Sequence, residues 1–399
     1  MAVADFPHST LVQNLMKETH RRALKLVKEG SHQAARILSL YGYSLGAATG
    51  SDLTQSRDAF ERALEIVRRE GDEALEVRIL SSYANILSFH LQWEEALPMA
   101  AEAIDREDES NNPVDILRAL LWVSQGATST GEFKQGEETA DNMLARARVT
   151  RDHYWIARAM NAMMDAVSAQ GRFDEALAMV AEADSMGLSE PSMNAIAINV
   201  LSQVGRFGDA QSLITSMGET PLIAKAYYLE LGKDEAMAHA LEEATAEDAR
   251  QTFLSVSPTT PIFHMRVRYG LSILANLRKD PAVAAEEYQQ IISLVGDANG
   301  AYLTRSNQRV LGDLAKTSGD EPEAEDHYQR SVEFCRETGF KPELAWSMYE
   351  YADLLLTRGG DGDREKAGPM LDETLALATD MGMKPLMEKV LSKREILKA

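Results

Sequence analysis

The sequence has few cysteines, prolines and glycines. A single cysteine, Cys335, in 399 residues excludes an internal disulfide framework and is typical of a protein from a reducing compartment. With only 12 prolines and 25 glycines, the chain has few positions at which a helix must end. These scarcities predict a chain that is mostly helical.

Positive charge and long apolar runs are also lacking. Lys and Arg total 41 against 62 Asp and Glu, a net charge of -21, so most of the surface should repel a phosphate backbone and nucleic acid is not expected as a direct partner. No stretch approaches 18 uninterrupted apolar residues, and residues 1–10 lack a basic stretch followed by an apolar core. We therefore expect a cytoplasmic protein with no membrane partner.

The residue patterns of common active sites are missing as well. The eight histidines are scattered with no pair four residues apart, and Leu231-Gly232-Lys233 lacks the upstream glycine of a phosphate loop. Asp361 and Asp363 resemble the start of a calcium loop whose other ligands are missing, so a flexible turn is the favoured interpretation. The sequence predicts no catalytic residues, no metal site, no cofactor and no enzymatic activity.

The sequence does contain a repeat of about 40 residues. Large residues at Trp93, Phe133 and Phe173 are each followed by smaller residues three, seven and ten positions later. Because spacings of three and four put side chains on one stripe of a helix, these small residues let a neighbouring helix approach closely. A second amphipathic helix precedes each unit, so every repeat is predicted to be a helix hairpin that is stable only when stacked on others.

The repeat resembles the tetratricopeptide repeat. Leu311-Gly312 followed by Ala324 and Tyr328 fits that family's pattern, and so does Tyr41-Gly42 followed by Phe60 and Ala63. The resemblance implies an all-α fold, an α-solenoid that forms a right-handed superhelix of about ten hairpins, mostly with a 40-residue period in place of the usual 34. A helical bundle without repeats is the alternative.

The predicted organisation has five parts. They are a half-repeat or capping helix (1–30), a regular array (31–187), short irregular repeats with a hinge loop (188–262), a second array (263–382) and a closing helix (383–399). The first part is either a solitary cap or the sign of a longer array. The loop at Ser257–Pro261 either changes the superhelical pitch or contacts a ligand.

A second resemblance covers the carboxyl end. The segment Glu337–Trp346, with Tyr351–Leu356 and Gly362–Ala367, is similar to the repeat regions of large bacterial regulators that join an AAA-type ATPase to a nucleotide cyclase or a LuxR-type DNA-binding domain. In that family the repeats act as a sensor or as a docking surface for proteins. Neither the ATPase nor an output domain lies in these 399 residues, so only the sensor role carries over.

The family resemblance also implies where partners bind, since the first helix of each pair lines the inner groove. The positions predicted to face a ligand are Arg78, Ser81, Asn85, Trp122, Gln125, Arg158, Asn161 and Asp165. The leading hypothesis is a non-catalytic scaffold or sensor that binds a protein or peptide in bacterial signal transduction or transcriptional regulation. A receptor for a small molecule or peptide, with its site at the Leu188–Pro261 seam, is the alternative, and a homo-oligomer is left open.

Overall fold

The computed structural model describes residues 10–47, 53–108, 111–216, 261–296, 298–302 and 304–398. These ranges contain 18 helices and one short β-hairpin. The helices before residue 217 are α1 (Thr10–Leu24), α2 (His32–Ala47), α3 (Leu53–Glu70), α4 (Glu73–Phe89), α5 (Trp93–Asp105), α6 (Pro113–Thr130), α7 (Phe133–Thr150), α8 (His153–Ala169), α9 (Phe173–Ser185), α10 (Pro191–Gln203) and α11 (Phe207–Ser216).

The second series of elements begins at Pro261, a residue whose fixed φ suits the first turn of a helix. The helices are α12 (Pro261–Arg278), α13 (Pro281–Val295), α14 (Asn307–Ser318), α15 (Glu321–Thr338), α16 (Lys341–Arg358), α17 (Asp363–Asp380) and α18 (Lys384–Lys398). Between α13 and α14, β1 (Ala301–Tyr302) pairs antiparallel with β2 (Arg305–Ser306).

The predicted fold class is confirmed: the chain is an all-α solenoid of helix hairpins. Eight hairpins are described, from α2–α3 to α10–α11 in the first array and from α12–α13 to α16–α17 in the second, with α1 and α18 as single helices. Most of the predicted irregular segment, residues 217–260 with the loop Ser257–Thr260, lies outside the described residues. The five-part division of the chain stays a prediction.

Local sequence explains where the hairpins turn. Between α6 and α7, Gly131 has φ 95°, a left-handed conformation that glycine adopts at little cost. The first helices α6 and α8 start at side-chain caps: the Asn112 side chain accepts from the main-chain N–H of Val114, and that of Asp152 accepts from the main-chain N–H groups of Tyr154 and Trp155. The caps Asn112 and Asp152 are 40 residues apart, so successive hairpins begin at the interval of the sequence repeat.

The small residues of the repeat form the contact between helices, as predicted. Ala96, Ala100 and Ala103 of α5 are all buried, with at most 1% of their surface exposed. α5 packs against α4 in its own hairpin and against α6 in the next one. The stack therefore shares one apolar seam, which no single hairpin could bury alone.

The second array also returns to contact the first, which the sequence did not predict. The principal contacts join α12 to α4, β1 to α6, α16 to α8 and α18 to α10. One continuous hydrophobic cluster contains residues from both arrays, for example Leu80 of α4 and Tyr351 of α16. The superhelix is therefore tight enough for separate turns to pack together. None of the described helices has the length and low charge needed to cross a membrane.

Candidate functional site

The inner face of the first array is formed by the first helix of each hairpin. Helices α2, α4, α6, α8 and α10 contact one another in chain order, and the principal contacts with the second array fall on these same helices. They therefore lie on the inside of the superhelix, and the second helices α3, α5, α7 and α9 lie outside. We call the surface of α2, α4, α6, α8 and α10 the inner face.

Three helices of the inner face carry an arginine at the same register. Each helix follows a capping residue, and the arginine comes six positions after that cap. The caps are Asp72, Asn112 and Asp152, and the arginines are Arg78, Arg118 and Arg158. Because α4 contacts α6 and α6 contacts α8, the arginines form a row across adjacent helices. We call Arg78, Arg118 and Arg158 the arginine ladder.

One buried carboxylate pairs with two members of the ladder. Asp115 is 4% exposed, and its Oδ2 accepts from Arg78 Nε at 3.1 Å while its Oδ1 accepts from Arg118 Nη1 at 3.0 Å. Ser81 donates its hydroxyl to the main-chain oxygen of Asp115 at 2.7 Å. Asp115 thus fixes α4 against α6 and orients both guanidinium groups. Arg78, Arg118 and Asp115 together keep one net positive charge, because two arginines share one carboxylate.

The third member of the ladder has no such partner. Among the described residues none forms an ion pair with Arg158, and its Nε is buried without a hydrogen-bond acceptor. Asp115, the partner of Arg78, lies 37 residues after it on the next first helix. The residue at the same offset after Arg158 is Ala195, which has no carboxylate. Tyr154, 37% exposed, lies one helical turn before Arg158 on the same side of α8. The ladder therefore ends in a donor without an acceptor, which costs free energy when buried.

A network of side-chain hydrogen bonds joins the first helices α2, α4 and α6. Asn85 Nδ2 donates to the Tyr43 hydroxyl oxygen at 3.3 Å, and Trp122 Nε1 donates to Asn85 Oδ1 at 2.5 Å. Asn85 and Trp122 are both buried, and burial raises the pKa of the Tyr43 hydroxyl. The amide of Asn85 is thus engaged in fastening α2, α4 and α6 together.

Toward the carboxyl ends of α6 and α8 the inner face closes over a small cavity. Its volume is about 40 Å³, room for a few water molecules and far below the size of a typical metabolite site. Thr128 Oγ1 and Asn161 Oδ1 line it and are buried without hydrogen-bond partners. Gln125 and Asp165 also border this space. The polar atoms suit ordered water.

The β-hairpin of the second array forms the far wall of this cavity. The Tyr302 hydroxyl donates to the main-chain oxygen of Ile262 at 2.6 Å, and Asn199 Nδ2 of α10 donates to Thr304 Oγ1. The hairpin is also tied to α16, because the main-chain N–H of Ser306 donates to Glu343 at 2.9 Å. The hairpin thus covers the carboxyl-terminal halves of α6 and α8, and the ladder lies on their amino-terminal halves.

The eight residues predicted to face a ligand differ in exposure. Arg78 is exposed, and Gln125, Arg158 and Asp165 are half-buried. The other four predicted positions do not present exposed side chains. Ser81, Asn85, Trp122 and Asn161 are all buried. Their burial follows from the close packing of successive first helices, which turns these positions toward the neighbouring helix. Partner binding by any of the eight stays a prediction.

Sequence reasoning missed the middle member of the ladder and its counter-charge. Arg118 lies 40 residues after Arg78 and 40 before Arg158, so the offset that revealed the repeat could also have revealed the row. Asp115 has no such signal, because only the packing of α4 on α6 brings it to Arg78.

Two other side chains that could take part in chemistry, Cys335 and Asp363, are held by local contacts. Cys335 is buried in α15, and burial raises the pKa of its thiol, which disfavours the reactive thiolate. In the glycine-rich turn before α17, Arg358 donates to both carboxylate oxygens of Asp363 and holds the pKa of that carboxyl down at about 2. The described residues contain no group of three side chains placed to hold a metal ion.

Comparison with known proteins adds likenesses of overall shape only. No protein-family model matches the chain, and no curated protein does. A solved structure of the APC/C hetero-tetramer Cut9-Hcn1 is similar over 96% of this chain and 89% of that chain, at 12% identity and a TM-score of 0.33. The pentatricopeptide repeat protein PPR10 from maize aligns over 97% and 63%, at 12% identity and a TM-score of 0.28. At these values the likenesses carry no argument about function.

Proposed function

We propose that this chain is a non-catalytic scaffold or sensor that binds an extended segment of another protein on the open part of its inner face. That part comprises the amino-terminal halves of α4, α6 and α8, with Arg78, Arg118, Tyr154 and Arg158. The observation that carries the proposal is the row of arginines at one register of three adjacent helices. A segment lying across the helices would meet each arginine in turn, as the concave surface of a solenoid allows.

The cellular setting is part of the same proposal. The similarity of Glu337–Trp346 to the repeat regions of bacterial ATPase-linked regulators supports a role in signal transduction or transcriptional regulation in the cytoplasm. The genes beside the coding sequence provide a test. A neighbouring ATPase, cyclase or LuxR-type regulator would support this setting, and neighbours of unrelated function would count against it.

A position-specific cross-linking experiment tests the binding surface. A photo-reactive amino acid replaces Tyr154 on the inner face in one variant and Val149, 84% exposed on α7, in the control. Proteins cross-linked in cells are identified, purified and titrated against the unmodified chain. We expect a partner that cross-links from position 154 and not from 149, and that binds in purified form. Cross-linking only from position 149 would place the contact on the outer face and overturn the proposal.

A small-molecule receptor is the second candidate, favoured by one observation. The cavity is lined by Ser192 and Ile196 of α10, which lie within the predicted Leu188–Pro261 seam, and by Ile262 of α12, which directly follows it. A metabolite would require the cavity to widen well beyond its 40 Å³. Thermal-shift screening separates the candidates, because a metabolite that binds the native state raises its melting temperature.

A further inference from the structure

We propose that the arginine ladder is a carboxylate-binding site and that the segment it receives is acidic. This inference rests on the proposed function and specifies the chemistry of the partner. Each guanidinium has five N–H donors in a planar fork that matches a carboxylate. Asp115 takes Nε of Arg78 and Nη1 of Arg118, so each of these arginines keeps donors for an incoming carboxylate.

The state of the three arginines supports an anionic occupant. Asp115 holds Arg78 and Arg118 in fixed orientations, so less side-chain entropy is lost when a ligand binds them. Arg158 is half-buried, and none of the described residues forms an ion pair with it, so a ligand carboxylate would supply its counter-charge. The side-chain exposure of Arg78 is 45% and that of Arg118 is 19%, so solvent reaches the row.

The spacing of the ladder sets the spacing of the ligand. Packed helices lie about 8–10 Å apart, and a segment in the polyproline II conformation advances about 3.1 Å per residue with three residues per turn, so every third side chain points to the same side. A segment that crosses α4, α6 and α8 therefore meets one arginine about every third residue. Acidic side chains at every third position match the ladder, and acidic side chains clustered together do not.

The local charge opposes the charge of the whole molecule. The chain carries a net charge of -21, which repels an acidic segment at low ionic strength. At about 0.15 M salt the Debye length is about 8 Å, so distant carboxylates are screened while groups in contact with the ligand still act. Binding should therefore be measured near that ionic strength.

The test uses defined peptides and the full chain. A fluorescent serine peptide with glutamate at every third position is titrated by anisotropy, beside one with glutamine at those positions and one with its glutamates adjacent. We expect the spaced glutamate peptide to bind about tenfold or more tightly than the glutamine peptide, the difference made by one charge-assisted contact of about 1.4 kcal/mol. The affinity for the peptide with adjacent glutamates should lie between these two affinities.

Matched variants locate the binding site. R78Q/R118Q/R158Q should weaken binding of the spaced glutamate peptide at least tenfold, whereas R62Q/R146Q/R148Q, which removes equal charge from the outer helices α3 and α7, should change it less than about twofold. Loss of both partners of Asp115 could unfold the triple variant, so R158Q is the second test, because Arg158 has no ion partner to lose. R158Q should weaken binding of the spaced glutamate peptide about threefold or more, and R158K should recover part of the lost affinity.

Three outcomes would overturn the inference. They are equal binding of the glutamate and glutamine peptides, equal weakening by the inner and outer triple variants, and no binding of the glutamate peptide up to about 1 mM, the weak end of specific association. The proposed function would survive each of them if a partner still cross-links from position 154. The two ideas therefore fail separately.

Discussion

Trp346 donates its indole N–H to the side-chain oxygen of Gln203 at 3.1 Å, although 143 residues separate the two in sequence. Both residues are buried. Gln203 is the last residue of α10 in the first array, and Trp346 lies in α16 of the second, so this bond marks where one turn of the superhelix rests on another. Gln203 also donates to Asn199 Oδ1 at 3.2 Å, so its amide links α16 to α10.

A double-mutant cycle on this pair should show that the two arrays are coupled. W346F removes the indole donor and leaves the Gln203 oxygen buried without it, so we expect a loss of about 1–3 kcal/mol in the free energy of unfolding. Q203A and the double variant complete the cycle, measured by urea denaturation. A coupling energy of about 1 kcal/mol is expected. Additive losses would show that the bond does not contribute to stability.

Gly312 should not tolerate a methyl group, although alanine favours helices. A Cβ at Gly312 would lie 2.8 Å from two ring carbons of Tyr328. That ring is fully buried and its hydroxyl donates to Asp313 at 2.7 Å, so it has little room to move. G312A should therefore lower the free energy of unfolding by about 1–3 kcal/mol through overpacking. This is opposite to the gain of up to about 1 kcal/mol that helix propensity alone predicts.

The matched control for this prediction is Gly208 in α11, where an added Cβ would meet no atom within 4 Å. G208A should leave stability unchanged or slightly higher. Urea denaturation of both variants decides the matter. If G312A were as stable as G208A, the Leu-Gly pair would not be a close-packing site, and the packing basis of the repeat would need revision.

The hairpin architecture was predictable because its causes are local. Small residues at offsets of three and four, as at Ala96 and Ala100, give the contact stripe of a second helix, and Gly131 gives the turn. These features repeat in the sequence itself. A solenoid follows because each hairpin needs neighbours to cover its apolar face.

The contacts between the arrays and the burial of several predicted site residues were not predictable in this way. A helical register says which side of a helix a residue occupies, but it does not say how closely the next helix lies. Asn85 and Trp122 occupy the expected side and are buried because α4 and α6 pack tightly there. Contacts such as Trp346 to Gln203 depend on the accumulated rotation of many repeats, which no short window of sequence contains.

Asn85 should prove to be a structural residue. N85A would remove the acceptor of Trp122 Nε1 and the donor to Tyr43, leaving an indole N–H buried without a partner. We expect a loss of about 2–3 kcal/mol in the free energy of unfolding. Q125A, which changes a half-buried residue at the same register of α6, should cost less than about 1 kcal/mol. An N85A chain of unchanged stability that binds its partner more weakly would instead make Asn85 a ligand contact.

Glu287 is a buried acid whose protonation should couple stability to pH. It is 4% exposed on α13, where its Oε1 accepts from Arg268 Nη1 at 2.6 Å and its Oε2 has no hydrogen-bond partner. Burial raises the pKa of this carboxyl to about 7, and Arg268 offsets only part of that effect. The folded chain therefore holds this proton at pH values where the unfolded chain, with a pKa near 4.5, has lost it.

The sign of the effect follows from proton linkage. Between about pH 4.5 and 7 the folded state binds more protons at Glu287 than the unfolded state does, so its contribution to stability is full below pH 4.5 and is lost as pH rises through 7. The total is about 3 kcal/mol. We expect E287Q to remove this decline when melting temperature is followed from pH 5 to pH 8, and E286Q, which alters the exposed neighbour, to retain it. A wild-type profile that E287Q leaves unchanged would mean that the carboxyl stays ionised beside Arg268, and that the ion pair outweighs the cost of burying it.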